Sequence, residues 1–273
     1  MQAPELIQVR SYGDSGPYVS LLHGGPGAAG EMVPVARNLC SRFRVLEPLQ
    51  RTSGTVPLTV ARHVKDLHDV LQEPLQAGPV RLVGFSWGAM LALTYAARYP
   101  EKIDRVILIG CGTFDKHSRQ IYETNIKQRT DTDTQRHIEN IQAQLTAEND
   151  RKRRNELFAE FGYIYTRLQS YKPIKTDFEK VLKYDEIGFR QTWAGALSLQ
   201  EQGIQPAEFE HIQALVTMIH GDNDPHPGPL IYKTLTKFIC DIKYLELSRC
   251  GHKPWIEIEA KNEFYKILTE CLT

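Results

Sequence analysis

Three residues that could share one reaction stand far apart in this chain: Ser86, Asp224 and His252. A serine hydroxyl is a weak nucleophile until a base takes its proton. An imidazole does that best when a carboxylate orients it and balances its positive form. Ser86 lies in Gly84-Phe85-Ser86-Trp87-Gly88, a Gly-x-Ser-x-Gly pattern. Such a turn lifts the serine clear of its backbone in a strained conformation, and the flanking glycines leave room for it. A helix starting there aims backbone N–H groups at any oxyanion that forms. Taken alone, the pentapeptide reads equally well as an ordinary Gly/Ser turn, so its distant partners must decide.

Those partners are placed by the elements around them. Val80, Leu82 and Val83 form an apolar strand before Ser86, and Met90, Leu91, Leu93 and Ala97 recur at helical spacing after it. Tyr18–Leu22 predicts a buried strand that runs into His23-Gly24-Gly25-Pro26-Gly27, a loop whose backbone can approach a ligand. Leu6–Tyr12 and the turn Gly13–Pro17 predict a hairpin into that strand. Glu31–Arg42 predicts a helix, Arg44–Leu49 a strand, Gln50–Gly54 a polar turn and Leu58–Gln76 an amphipathic helix with His63 and His68 on its solvent side. Arg105–Gly110 is a further apolar strand. Continuous apolar strands alternating with helices predict a parallel sheet covered on both faces.

From Phe114 to Glu210 the pattern turns polar and helical, with helices expected over Ser118–Gln128, His137–Glu148, Arg151–Gln169, Asp177–Tyr184 and Phe189–Gln202. The parallel pattern resumes with the strand Ala214–Ile219, the helix Leu230–Phe238, the edge strand Ile242–Leu247 and a closing helix from Pro254 to Cys271. Asp224 and His252 follow the last two strands, at the strand ends where open α/β sheets place their sites. Asp222 is the rival acid. His226, in Pro225-His226-Pro227-Gly228, reads as a structural turn residue, and His23 as a loop brace.

Composition narrows the partners. The chain has 273 residues, enough for a large α/β domain or a domain with an insertion. Lys+Arg and Asp+Glu are both 33, so nothing in the net charge favours nucleic acid or an anionic membrane. Cys40, Cys111, Cys240, Cys250 and Cys271 lack metal-binding spacing and read as reduced thiols. Met1–Glu5 lacks the features of a signal peptide, and no apolar run is long enough to span a bilayer. These readings predict a cytoplasmic chain without metal or cofactor.

The motifs resemble the α/β-hydrolase superfamily over the whole chain. His23–Gly27 with Ser86-Trp87-Gly88, and the turn Gln50-Arg51-Thr52-Ser53-Gly54, resemble its proline iminopeptidase (prolyl aminopeptidase) branch. Two departures are visible: Phe85 stands where that branch has glycine, and Trp193 precedes Ala194 where it commonly has glutamate. The resemblance implies an α/β-hydrolase fold, a mostly parallel doubly wound sheet whose core is 1–113 and 211–273, with a helical cap inserted over 114–210. It also implies a Ser86–Asp224–His252 triad and an oxyanion hole from the backbone N–H groups of Gly25 and Trp87. Phe85 and Trp193 are expected in the substrate pocket.

The expected activity is therefore that of a serine hydrolase acting on a small-molecule ester or amide through an acyl-enzyme. The narrower alternative is release of N-terminal proline from a short peptide. That needs a carboxylate for the free amine, and Glu156, Glu160, Asp185, Glu186 and Glu201 are unranked candidates. A third reading keeps the fold as a non-catalytic ligand receptor or interaction module.

Overall fold

Residues 7–174 and 183–273 are described by the computed structural model. The main sheet comprises β1 (Val9–Tyr12), β2 (Tyr18–Leu22), β4 (Arg44–Pro48), β5 (Val80–Phe85), β6 (Ile103–Ile109), β8 (Leu215–Gly221) and β9 (Ile242–Leu247), in the order β1-β4-β2-β5-β6-β8-β9. Only β1 runs antiparallel in it, against β4.

Alternation along the strands feeds two cores. Val80 and Leu82 of β5, with Val106 and Leu108 of β6, pack on one face under α2 (Val60–Leu71), α3 (Trp87–Arg98) and α8 (Gly228–Leu235). Val83 and Phe85, with Ile107 and Ile109, pack on the other under α1 (Val33–Leu39) and α9 (Lys261–Cys271). The expected parallel sheet, buried on both faces, is present.

Between β6 and β8 run α4 (Lys116–Arg129), α5 (Thr132–Ala147), α6 (Arg151–Leu168) and α7 (Glu186–Glu201). Asp115, Asp131 and Asp150 cap the first three, each accepting a backbone N–H from the helix's first turn. A two-residue ribbon joins β3 (Ala28–Ala29) to β7 (Lys183–Tyr184). It ties the glycine-rich loop after β2 to the start of α7.

Several expectations are corrected. The N-terminal hairpin does not form, because β1 pairs with β4 and not with β2. The turn at Gly13 and Gly16, both at positive φ, packs against the backbone of Cys40, Arg42 and Phe43 and draws β1 past β4. Helix α2 ends at Leu71, since Pro74 has no N–H to continue it and starts a 3₁₀ turn. His63 is buried, not solvent-facing: α7 covers it, and its Nε2 meets Thr192 Oγ1 at 2.9 Å. The closing helix starts at Lys261. Upstream, the buried carboxylate of Glu257 accepts N–H groups of Tyr171, Lys172 and Gly251, so the chain runs irregularly there. The helix expected over Asp177–Tyr184 falls mostly outside the described residues, and its last two residues form β7. Among the described residues, no helix is long and apolar enough to cross a membrane.

Candidate active site

Ser86 sits between β5 and α3 at φ 51°, ψ −115°, a left-handed conformation that a non-glycine residue adopts at a cost. The turn is tight enough that a Cβ at Gly84 would collide with the Gly88 carbonyl, and one at Gly88 with the Leu22 carbonyl. Both glycines of the pentapeptide are therefore required for close approach. The Trp87 N–H is the first of α3, among those a helix leaves without an internal acceptor. Gly25, at φ 76°, lines the same cavity as Ser86 and Trp87.

The three loops after β2, β4 and β5 are braced together. Gln50 donates its amide to the His23 carbonyl (2.9 Å) and accepts the Trp87 indole N–H (2.8 Å), while its backbone N–H donates to His23 Nε2 (3.1 Å). Since Nε2 accepts, His23 carries its proton on Nδ1 and donates it to the Gly24 carbonyl at 2.9 Å. Burial pushes the His23 pKa down, which keeps that neutral form. His23 is the loop brace expected. Gln50's role was not foreseen; only its place at a strand end hinted at it.

The two candidate acids have different partners. His252 Nδ1–H donates to Asp224 Oδ2 at 2.6 Å, and both residues are buried. Asp222 instead accepts the backbone N–H of Arg249 (2.9 Å) and Cys250 (3.1 Å) and the Ser248 hydroxyl. It staples a turn in which Arg249 has φ 53°, and that turn leads to His252. Burial opposes the charge on Asp224, but the surrounding histidines His252, His220 and His226 hold its pKa well below the ordinary range. For His252, burial lowers the pKa and the Asp224 charge raises it, with a net fall below 6.5.

Ser86, Trp87, Gly25, Phe85, Trp193, His226 and His252 all line one cavity of about 330 Å³. Its remaining walls are largely aromatic, with Phe158, Phe161 and Tyr165 from α6 and Phe189 from α7. The Phe85 ring packs on His252 and on Trp255, each with centroids 4.8 Å apart. None of Glu156, Glu160, Asp185, Glu186 or Glu201 lines the cavity. Asp185 is turned to Ser53 and Glu186 to Arg154. Among the described residues, the carboxylate that does line it is Glu31, engaged by the Gly24 N–H at 2.7 Å and by Lys253 Nζ at 3.0 Å.

Asp224, His226 and His252 bring possible metal-ligand atoms within 4.8 Å of one another. The facing atoms are hydrogen-bonded at 2.6 and 2.8 Å. Tetrahedral zinc, with bonds of about 2.0–2.2 Å, needs roughly 3.3 Å between neighbouring ligand atoms. The spacing is that of a proton-sharing cluster. Cys111 and Cys250 are buried, and burial raises both thiols, as suits inert core residues.

A family model described as alpha/beta hydrolase fold matches residues 17–257. The 2-hydroxy-6-oxo-2,4-heptadienoate hydrolase of Pseudomonas putida is 25% identical over 264 residues, 93% of this chain and 88% of that protein. Proline iminopeptidase of Lactobacillus helveticus is 24% identical over 277 residues, 94% of this chain and 90% of that protein. A structure described with the carboxylesterases of Nitrososphaera gargenis superposes with a TM-score of 0.68 at 20% identity, covering all of this chain and 97% of that one. The enol-lactonase of Burkholderia xenovorans gives 0.59 at 18% identity, covering 97% and 96%. At those identities the structural likeness speaks to fold alone.

Proposed function

The chain belongs to the alpha/beta hydrolase fold family and is a hydrolase of that family; from that premise we propose that it cleaves small esters with an apolar or aryl group, using Ser86 as nucleophile. The observation that carries this reading is that Ser86, lifted at φ 51°, shares a cavity with an imidazole paired to a buried carboxylate at 2.6 Å.

In the first step Ser86 Oγ attacks the carbonyl carbon and its proton passes to His252 Nε2. The carbonyl π pair moves onto oxygen, where the N–H groups of Trp87 and Gly25 receive it. Collapse breaks the bond to the alcohol, which leaves with the proton from His252. Water then repeats the sequence on the acyl-enzyme, giving the acid and free Ser86. Asp224 keeps the Nδ1 proton on His252 and stabilises the imidazolium.

The aromatic walls favour an apolar acyl or aryl group, and the volume suits a small molecule. Residues 1–113 and 211–273 would serve as the catalytic core and 114–210 as a cap supplying those walls. Prolyl aminopeptidase activity is the second reading, favoured by the iminopeptidase relatives. It has less support in the cavity, where Glu31 is already paired with Lys253. The expected setting is the cytoplasm.

A fluorophosphonate probe is expected to label the wild type and not Ser86→Ala. p-Nitrophenyl acetate turnover without proline β-naphthylamide turnover would support the ester reading and reject the peptidase one. No labelling of the wild type would overturn both and leave the receptor reading.

A further inference from the structure

The Asp224 carboxylate serves two imidazoles. Its Oδ2 accepts from His252 Nδ1, while its Oδ1 accepts both the backbone N–H (2.9 Å) and the Nδ1–H (2.8 Å) of His226. The His226 ring is stacked between Tyr122 of α4 and His252, with centroids 4.1 Å and 4.5 Å away and interplanar angles of 22° and 21°. His220 completes the set: its Nε2–H donates to the His226 carbonyl at 3.0 Å and lies 3.3 Å from Asp224 Oδ2. Helix α4 holds the same loop through Asn125, which donates to the Pro225 carbonyl, and Arg129, which donates to the Asn223 carbonyl.

We propose that His226 is a positioning residue that fixes the plane of the Asp224 carboxylate and, by taking a share of its charge, limits how basic His252 becomes. The proposal rests on the reading of His252 as the base. Two donors on Oδ1 prevent rotation about the Cβ–Cγ bond, so Oδ2 stays aimed at His252. Those same donors draw electron density from the carboxylate. That withdrawal disfavours the imidazolium of His252 in the resting state and keeps the base free at mildly acid pH.

Among the described residues, the other ionisable groups facing the pair include His220, Tyr122, Arg129, Tyr165, Tyr244, Lys253 and the buried thiols of Cys111 and Cys250. Burial pushes His220 down and the three tyrosines up, which favours the neutral form of each. His226 is the neighbour that both donates to Asp224 and stacks on His252, so its substitution isolates the effect.

The experiment compares wild type, His226→Phe and His226→Gln by two readouts. Phenylalanine keeps the ring stack and removes the donor, whereas glutamine can still donate to Asp224. The first readout is the acid limb of kcat/KM for p-nitrophenyl acetate. The second is NMR titration of the His252 imidazole, which needs no turnover. His226→Phe should move both midpoints up by roughly half to one pH unit, and His226→Gln should restore most of that shift. At pH values well below both midpoints the phenylalanine variant should lose roughly three- to tenfold in kcat/KM. Unmoved midpoints, with any activity loss uniform across pH, would overturn the proposal and leave His226 a packing residue. Absent turnover and absent probe labelling in the wild type would overturn the hydrolase reading instead, and the NMR midpoints would still decide the role of His226.

Discussion

The indole N–H of Trp87 donates to the side-chain carbonyl of Gln50 at 2.8 Å, joining the turn after β4 to the first residue of α3. The same Gln50 amide donates to the His23 carbonyl, so one buried side chain spaces the glycine-rich loop from the turn at Ser86. Gln50→Leu leaves the Trp87 N–H and the His23 carbonyl buried without partners. The expected cost is roughly 1–3 kcal/mol of stability. A fall in kcat larger than any rise in KM should accompany it, because Gly25 and Trp87, the proposed oxyanion donors, ride on those two loops. Chemical denaturation and ester kinetics on the same sample check both.

The two acids should separate cleanly. Asp224→Asn places an amide where His252 needs an acceptor and favours the wrong tautomer; kcat is expected to fall by about 10⁴-fold. Asp222→Asn keeps an acceptor for the 248–250 turn and is expected to lower kcat about tenfold or less. Equal losses in the two variants would show that the turn, and not the acid, dominates.

With His252 as the proposed base, the pH profile follows from its ionisation. It must be neutral to accept a proton, and burial lowers its pKa below 6.5 despite the Asp224 charge. Activity should therefore rise with pH through a midpoint below 6.5, measured as kcat/KM of the free enzyme. A midpoint above about 7 would mean that the carboxylate outweighs burial.

Stability should fall on the acid side for a separate reason. Burial lowers the His63 pKa from 6.5 to about 4, whereas the unfolded chain binds that proton near 6.5. Below 6.5 the unfolded state holds more protons, so folding stability drops as pH falls toward 4. For this group the loss at about pH 5 is roughly 2 kcal/mol. His63→Gln, which can still pair with Thr192, should flatten the slope between about pH 7 and 5 in urea titrations.

Phe85 fills the space between the His252 imidazole and Trp255. Phe85→Ala should cost roughly 3–5 kcal/mol and enlarge the cavity beside Ser86. Relative kcat/KM should shift toward bulkier acyl groups across a p-nitrophenyl ester series.

Local sequence carried most of the architecture. Apolar runs ending in glycine turns marked β2, β5, β6 and β8, because a strand buried on both faces has no polar alternation to blur it. Ser86 and Asp224 stood out because each follows such a strand, and His252 because it follows the alternating edge strand β9 beside β8. Gly84 and Gly88 were legible because only a residue without Cβ fits there.

What the chain pattern left open was every relationship that depends on which surfaces meet. The solvent side of α2 became an interior at His63 only because α7 lies on it. Which of Asp224 and Asp222 faces His252 and which faces the 248–250 backbone was another such relationship. The partnership of His226 with Asp224 needed a turn that brings residues two apart onto one carboxylate and α4 to stack Tyr122 on the ring. Periodicity reports the environment of a segment averaged over its own turns or pleats, and so it found the elements. Hydrogen bonds between side chains far apart in sequence depend on ångström-level placement, and only the packed chain supplies that.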